Sequence, residues 1–516
     1  MIFPAQGNGP YRLLRALGGA PVAAFEESLD KPEKTQGKRL SLIAGQVAGS
    51  VFGREAGLTG REDFTAWREA IPIRTYAELA PWLDRVDAGE PEVLTERAVD
   101  QLVQTSGTTG KPKRVPVTPA WAASVAGAQR LWVLGLLRDD EGLAGGSALS
   151  IVSPAFVTRS VGGLPVGSNT GRMFLEQPFW VRWRAPVPYS VYCIEDVQTR
   201  QYAILRHALA ADVRSWTAAN PSTILLYTRR LREWWEELCR DLRDGTLGRT
   251  GAKGLPRRAL GSEPAWPWDL RRVNCWKGGP AAFFVEKLPA ALGRDVPIRE
   301  VGITASEGYF AVPVDDGDPV AWLAGHLLEF VDERGREHWA WEVEAGREYR
   351  LVVSTEAGLC RYDLGDIVRV TGFAGRAPRL VFVRRAGAEL SAVGERVTEA
   401  QLQAVATRVC PGVQAVAACI RWAEVPRLRV VLGVSERGGR VDPGQFDAEL
   451  RRENMEYDDR RETGRYGPPE VTLLPAVAWE RWKAARVAAG APEAQVKDPV
   501  VVDEARFEEL VRLGER

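Results

Sequence analysis

Short runs of β-forming residues alternate with longer helical patterns along this chain, and that alternation limits the folds it can adopt. The β-forming runs are ALSIV at 148–152, STILLY at 222–227, PIREVGI at 297–303, YRLVVST at 349–355 and RLVFV at 379–383. Strands that alternate with helices are typical of α/β proteins. We therefore predict an α/β fold.

The length and a change of texture predict two domains. At 516 residues the chain is too long for a single hydrophobic core. From about residue 384 the sequence becomes glycine-bearing and charged, and a smaller pattern of strands and a helix follows, in VQAVAACI, RLRVVLGV and FDAELRREN. We place the boundary there, which gives a large domain at 1–383 and a small one at 384–516.

The bulk composition excludes several classes of partner. Lys and Arg together number 68 and equal Asp and Glu at 68, so no overall charge attracts nucleic acid or an anionic membrane. No long apolar run suggests a leader or a membrane span. The six cysteines form no CxxC pair and the three histidines have no metal-ligand spacing. We expect a cytoplasmic protein with buried thiols, no zinc site, and small-molecule partners.

One loop combines glycines, hydroxyl groups and cations after the strand candidate DQLVQ. It runs from Thr105 to Lys113 and reads TSGTTGKPK. Glycines let backbone N–H groups turn inward, and hydroxyls and lysines add further donors, so the loop can hold phosphate oxygens. Its spacing differs from that of the P-loop of nucleoside triphosphatases. The candidate phosphate contacts are Thr105, Ser106, Gly107, Thr108, Thr109, Gly110, Lys111 and Lys113.

The segment GITASEGYF places a carboxylate at the end of the run PIREVGI. Magnesium keeps several of its waters and takes only one or two protein carboxylates, so a single acidic residue beside phosphates can hold it. Glu307 is the candidate metal ligand, and Thr304, Ala305 and Ser306 are candidate nucleotide contacts.

The segment RYDLGD at 361–366 lies between two strand candidates. The two oxygens of Asp366 suit the vicinal hydroxyls of a ribose. Local sequence alone favours a Gly-Asp turn equally well.

These motifs, in this order, resemble those of the acyl acid amido synthetases, relatives of the plant enzymes that conjugate auxin, jasmonate and benzoates to amino acids. TSGTTGKPK is similar to the phosphate loop of the wider adenylate-forming superfamily. LVVSTEAGLCRYDLGDIVRVTGFAGRAPRLVFVRR and ENMEYDDRRETGRYGPPEVTLL carry the narrower likeness. The resemblance extends over roughly residues 60 to 503.

The resemblance implies the adenylate-forming fold, with a large multi-sheet α/β domain and a small, mobile C-terminal α+β domain. It implies ATP and Mg²⁺ as cofactors, ribose binding by Asp366, and a nucleotide contact at Gly279 in the turn WKGGP. Arg385, which lies just after the predicted domain boundary at 384, is a further candidate for nucleotide binding. Lys497, in QVKDPV, matches a lysine that neutralises charge on the α-phosphate. Ile303 and Val500 stand where relatives carry a tyrosine and an arginine.

The implied reaction has two steps. A carboxylate substrate attacks the α-phosphorus of ATP and releases pyrophosphate, and the amine of an amino acid then attacks the acyl-adenylate and releases AMP. We expect the acid to bind near residues 193–220, where Arg200 and Arg206 are possible contacts.

Two alternatives remain open. The wording of TSGTTGKPK is also similar to ligases that transfer the acyl group to coenzyme A or to a carrier protein, which share the acyl-adenylate. The replacements at 303 and 500 leave room for an inactive nucleotide-binding scaffold.

Overall fold

The computed structural model describes residues 2–4, 9–105, 113–177, 179–386, 389–434, 441–479, 481–482 and 500–515, without the side chains of residues 17, 105, 179 and 180. The chain divides into two compact units. The first comprises Met1–Gln104 and Arg114–Ala386, and the second comprises Thr105–Lys113 and Gly387–Arg516. None of the described helices has the length and apolar character that crossing a membrane requires.

The described helices, in chain order, are α1 Gly9–Leu17, α2 Gly19–Asp30, α3 Pro32–Val47, α4 Val51–Glu55, α5 Phe64–Ala70, α6 Tyr76–Asp87, α7 Pro119–Asp139, α8 Asn169–Glu176, α9 Phe179–Arg182, α10 Tyr189–Tyr192, α11 Val197–Ala210, α12 Pro221–Glu233, α13 Trp235–Asp244, α14 Ala282–Val285, α15 Leu288–Leu292, α16 Glu399–Val409, α17 Pro443–Glu453, α18 Met455–Glu462 and α19 Glu504–Glu515.

The described strands are β1 Gln101–Thr105, β2 Lys113–Val117, β3 Ser147–Ser150, β4 Thr158–Arg159, β5 Pro165–Gly167, β6 Val213–Thr217, β7 Thr246–Leu247, β8 Ala252–Lys253, β9 Arg272–Asn274, β10 Ile298–Arg299, β11 Ile303–Ala305, β12 Gly308–Val312, β13 Val320–Ala321, β14 Leu327–Val331, β15 Glu337–Trp339, β16 Glu348–Ser354, β17 Tyr362–Ala374, β18 Ala377–Arg385, β19 Glu389–Leu390, β20 Val397–Thr398, β21 Val413–Arg421, β22 Arg427–Val434 and β23 Glu470–Pro475.

The first unit is built on several sheets. A parallel sheet has the order β10-β9-β6-β3, and an eight-stranded antiparallel sheet has the order β11-β12-β13-β18-β17-β16-β14-β15. The mixed sheet β2-β1-β5-β4 contains the strands that flank the candidate phosphate loop. Strands and helices in alternation therefore confirm the predicted α/β class.

Helix α7 packs on β12 of the eight-stranded sheet, and its beginning follows from local sequence. The hydroxyl of Thr118 accepts a hydrogen bond from the N–H of Trp121, and Pro119 occupies the first turn, where its missing N–H costs nothing. The same hydroxyl donates to the carbonyl of Glu356 (3.0 Å), which ties the helix start to the sheet region. Trp121 is fully buried in the core of this unit.

The second unit has a sheet of its own. Strands β21 and β22 form an antiparallel pair, and β23 adds parallel to β22 after the helices α17 and α18. A separate hydrophobic cluster lies beneath this sheet and includes Trp479, Phe507 and Leu510. The strands predicted in VQAVAACI and RLRVVLGV, and the helix in FDAELRREN, are confirmed.

Some local predictions were wrong. STILLY belongs to α12, because Asn220 caps the helix through its side chain, Pro221 starts it, and the apolar side chains fit a helical period. RYDLGD does not lie between two strands, since β17 begins at Tyr362 and continues through Asp366. Of the six thiols, Cys193 is exposed.

A buried arginine at the start of β17 holds three elements together. The guanidinium of Arg361 pairs with both carboxylate oxygens of Glu329 (3.0 and 3.1 Å) and with Glu337 (2.5 Å). It also donates to the carbonyl of Ile71 (2.7 Å), just after the end of α5. The backbone of Arg361 is left-handed (φ 46°), a conformation that costs energy in a residue with a side chain. These contacts therefore fix the backbone immediately before β17.

Glu300 links the two segments that follow β9 and β10. Its carboxylate accepts the backbone N–H groups of Lys277 (2.7 Å), Val301 (2.9 Å) and Gly302 (3.1 Å). Burial raises the pKa of Glu300 to about 7, against the lowering effect of these three hydrogen bonds.

Replacing Arg361 by methionine should lower the free energy of unfolding by about 2–4 kcal/mol, because Glu329 loses its two-atom pairing with the guanidinium and keeps its single contact with Arg68 (2.9 Å). Urea unfolding followed by tryptophan fluorescence measures this. The matched control is Arg384→Met, which removes a largely exposed pair with Glu348 and should cost under about 1 kcal/mol. Similar losses in the two variants would contradict the anchoring role of Arg361.

The pKa of Glu300 predicts a stability that falls as pH rises. Because its folded pKa of about 7 lies above the ordinary 4.5, the folded state holds the proton more tightly than the unfolded chain. The resulting stabilisation is fully present below pH 4.5 and is lost as pH rises through 7. Across this range, the unfolding free energy of the wild type minus that of Glu300→Gln should fall by about 1–3 kcal/mol. A difference that stays constant, or grows with pH, would refute the assignment.

Candidate functional site

The phosphate-loop candidates lie between β1 and β2. β1 ends at Thr105, and β2 begins at Lys113, whose side chain is partly buried. Ser106, Gly107, Thr108, Thr109, Gly110 and Lys111 lie outside the described residues, as does the side chain of Thr105. The predicted strand before the loop, in DQLVQ, is confirmed as β1.

Glu307 lies in the tight turn between β11 and β12, and its position is fixed from two sides. The indole N–H of Trp121 donates to the backbone carbonyl of Glu307 (2.7 Å), and the hydroxyl of Tyr362 donates to its Oε1 (3.1 Å). Thr304, Ala305 and Ser306 precede it on the same hairpin and are partly buried. The three nucleotide-binding candidates and the metal-binding candidate therefore share one short hairpin.

Asp366 and Arg385 are brought together by the register of β17 and β18. They are direct partners in the ladder, and Nε of Arg385 lies 3.0 Å from Oδ1 of Asp366. Arg385 also donates through Nη1 to the carbonyl of Leu364 (2.9 Å). Gly365 adopts a positive φ of 74°, and its N–H is accepted by the Asp363 carboxylate (3.0 Å). The glycine thus allows the bend that presents Asp366.

Tyr362 joins the turn that carries Glu307 to β17, the strand that carries Asp366. Its hydroxyl is buried, and its pKa is raised first by burial and then by the neighbouring Glu307 carboxylate. The phenol therefore stays protonated and remains a donor to Glu307.

Tyr76, the first residue of α6, contacts β2 near its beginning. Its hydroxyl accepts the backbone N–H of Arg114 (2.8 Å). Burial raises the pKa of Tyr76, and the negative charge of Glu307 contributes to the same shift. The phenol therefore stays protonated and holds the start of β2 against α6.

Gly279 starts a short turn against β18. Its φ is 56°, and a Cβ at this position would come within 2.8 Å of Cε1 of Phe382 and 3.1 Å of the carbonyl of Val383. Only glycine fits so close to the strand that leads to Arg385. The turn therefore lies beside β18 in the first unit.

Residue types determine what the site can hold. Around Glu307 the described residues supply one carboxylate, with the hydroxyls of Thr304 and Ser306 on the same hairpin, a set that suits a Mg²⁺ ion retaining most of its waters. No group of three or more His, Cys, Asp or Glu side chains with metal-binding geometry occurs in the part of the chain that the structure describes. The site therefore fits Mg²⁺ with phosphate oxygens better than a protein-caged metal.

The remaining candidates are one lysine and two arginines. Lys497 lies outside the described residues. Arg206 is fully buried, and its guanidinium donates to the carbonyls of Thr246 (2.8 Å) and Pro256 (2.9 Å), so it serves the packing of α11 and was wrongly considered for the acid. Arg200 donates to the carbonyl of Ile194 (2.7 Å) near the start of the same helix.

Sequence reasoning missed Trp121 and Tyr362 as supports of Glu307. Tyr362 stood inside the quoted RYDLGD motif, so its neighbourhood gave a signal. Trp121 lies far from Glu307 along the chain, and nothing in its local sequence separates it from an ordinary core aromatic.

Comparisons with known proteins match three parts of the chain to the domains of one family. Three family models match the chain in order: the GH3 family N-terminal domain at residues 21–251, the central domain at 320–385 and the C-terminal domain at 443–506.

Among curated relatives, a probable indole-3-acetic acid-amido synthetase, GH3.2 of Oryza sativa subsp. japonica, is 26% identical, over 76% of this chain and 74% of the relative. The jasmonoyl–L-amino acid synthetase JAR4 of Nicotiana attenuata is 25% identical, over 82% of this chain and 80% of the relative. The named relatives are acid–amino acid ligases.

Solved structures show the same fold. The AtGH3.15 acyl acid amido synthetase in complex with 2,4-DB superposes with a TM-score of 0.65 at 20% identity, over 96% of each chain. A 2-hydroxyisobutyryl-CoA ligase superposes with a TM-score of 0.52 at 16% identity, over 94% of this chain and 93% of that one. The expected fold of the adenylate-forming enzymes is confirmed. With its N-terminal, central and C-terminal domains matched in sequence order, the chain belongs to the GH3 family.

Proposed function

We propose that this chain is an ATP-dependent ligase that adenylates a small carboxylic acid and transfers the acyl group to the amine of an amino acid. The observation that carries the proposal is the hydrogen bond from Tyr362 to Glu307, because it joins a turn suited to Mg²⁺ and phosphate to the strand of Asp366. The family and its named relatives, which conjugate acids to amino acids, support the same reaction.

In the first step, a carboxylate oxygen of the acid attacks the α-phosphorus of ATP, and the bond to pyrophosphate breaks. Asp366 would accept hydrogen bonds from the ribose hydroxyls, and Arg385 would orient that carboxylate. Lys111 and Lys113 would bind the phosphate oxygens, and Lys497 would offset charge at the α-phosphate. These roles follow from the family resemblance.

Glu307 would hold Mg²⁺, which offsets phosphate charge when it is bound. Tyr362 fixes the carboxylate of Glu307, and Trp121 fixes its backbone. The carboxylate that would bind Mg²⁺ is therefore in position before the nucleotide binds. Thr304 and Ser306 would add hydroxyl contacts beside it.

In the second step, the amine nitrogen attacks the acyl carbon, the bond between acyl group and AMP breaks, and the nitrogen loses a proton. We propose that the small C-terminal domain, 384–516, moves between the two steps, as the resemblance implies. A cytoplasmic location is part of the same proposal.

The reaction predicts acid-dependent exchange of labelled pyrophosphate into ATP. A panel of carboxylic acids should include some that support exchange, and adding amino acids to one of these should yield an amide and AMP. Coenzyme A, supplied separately, is the control acceptor. If a thioester forms with coenzyme A and no amide forms with any amino acid, the protein is a thioester ligase and this proposal is wrong. If the folded protein shows no pyrophosphate exchange with any acid, an inactive nucleotide-binding scaffold is favoured.

Replacing Asp366 by asparagine should weaken ATP binding by about 1.5–3 kcal/mol, roughly ten- to a hundred-fold, because hydrogen bonds to a charged acceptor are lost. Calorimetric titration with ATP in the absence of acid measures this. Asp212→Asn is the matched control, since it makes the same substitution at a half-exposed side chain before β6 and should leave the affinity nearly unchanged. Equal affinities for wild type and Asp366→Asn would exclude ribose binding by Asp366.

A further inference from the structure

We propose that the acid pocket of this chain ends at a row of polar residues on the parallel sheet, and that the row selects carboxylic acids carrying an uncharged hydroxyl group at the end away from the carboxylate. The inference rests on the proposed function and specifies its substrate class.

The row consists of the last residues of the four parallel strands. Ser150 of β3 pairs with Thr217 of β6, Thr217 pairs with Asn274 of β9, and Asn274 pairs with Arg299 of β10. We call these four residues the terminal row. Paired residues on neighbouring strands point to the same face, so the four side chains share one face at the carboxyl edge. In open α/β sheets, ligands bind outside this edge.

The terminal row lies at the base of two segments of the candidate site. The chain leaves Asn274 for the turn at Gly279, and it leaves Arg299 for the hairpin of Glu307. The N–H of Cys275 donates to the carbonyl of Arg299 (3.0 Å), which keeps the two departing segments together. An acid whose carboxylate faces the nucleotide would therefore extend toward the row.

Asn274 presents an unused acceptor. It is fully buried, and its Nδ2 donates to the hydroxyls of Ser215 and Thr217, each at 3.0 Å. Its Oδ1 is buried and finds no hydrogen-bond partner among the described residues. A buried acceptor without a donor is costly, so a ligand that supplies one gains affinity.

Arg299, the ladder partner of Asn274, presents unused donors. Nη2 pairs with the carboxylates of Asp139 and Asp316 (2.7 Å to the latter), while Nε and Nη1 are buried and find no hydrogen-bond partner in the described part of the chain. Arg272, two residues before Asn274 on β9, shares Asp316 at 3.4 Å. Arg138 also pairs with Asp139 (2.7 Å), so three arginines share two carboxylates.

The unpaired atoms decide the class of ligand. A second carboxylate on the substrate would supply no donor for Oδ1 of Asn274, and an ammonium would supply no acceptor for Arg299 and would meet its positive charge. A hydroxyl is neutral, and it can donate to Oδ1 of Asn274 while it accepts from Arg299. An acid without the hydroxyl leaves both groups unpaired, which is the strongest basis for rejecting an analogue.

The test uses pyrophosphate exchange with matched pairs of acids that differ by one hydroxyl: 3-phenylpropanoic and 3-(4-hydroxyphenyl)propanoic acid, benzoic and 4-hydroxybenzoic acid, and hexanoic and 6-hydroxyhexanoic acid. In at least one pair the hydroxylated acid should exchange faster by about ten-fold or more. Asn274→Leu, which keeps the volume and removes the acceptor, should reduce this ratio to within about three-fold. The ratio is taken within each variant, so a loss of folded protein cancels.

The matched control is Ser147→Ala, at the opposite end of β3, which should keep the wild-type ratio. Equal rates for both members of every exchanging pair would overturn the inference and leave the proposed function intact. An unchanged ratio in Asn274→Leu would also overturn it. Exchange with no acid at all would overturn the proposed function, and this inference with it.

Discussion

The buried ion pair between Arg361 and Glu329 is the constraint on which the site depends. It holds a left-handed backbone conformation directly before β17, at a point where a non-glycine residue is strained. Because Tyr362 is the next residue and Asp366 lies further along the same strand, the ion pair fixes the start of the backbone segment that carries both side chains. A charged group that contacts no substrate thereby determines the geometry of groups that would.

Tyr362 also fixes the turn between β11 and β12 that carries Glu307. The phenol holds the Glu307 carboxylate, and Trp121 holds the backbone of the same residue from α7. Glu307 is thus fixed by the eight-stranded sheet and by the helix that packs on it. Such support keeps a single metal-binding carboxylate in place, which matters because Mg²⁺ takes few protein ligands and depends on their orientation.

The parallel sheet contributes in a different way. Its strands bury apolar residues such as Trp216 and Val273 on one face and polar residues on the other. The arginines on the polar face pair with Asp139 and Asp316, but the face keeps unused donors and an acceptor at its carboxyl edge. The eight-stranded sheet would thus supply nucleotide chemistry, and the parallel sheet would supply selectivity for the acid.

The sequence by itself determined the α/β class, the strand before the phosphate loop and the order of motifs, because these depend on local periodicity and on residue types at fixed spacing. It also pointed to Glu307, Asp366 and Gly279. It misassigned STILLY, since a capping Asn220 and a starting Pro221 decide that segment, and it named Arg206, whose guanidinium bonds carbonyls. Only the tertiary structure paired Asp366 with Arg385, placed Tyr362 and Trp121 on Glu307, and aligned Thr217, Asn274 and Arg299 in one row. Those contacts depend on strand register and on packing between segments distant in the chain, and no local spacing encodes either.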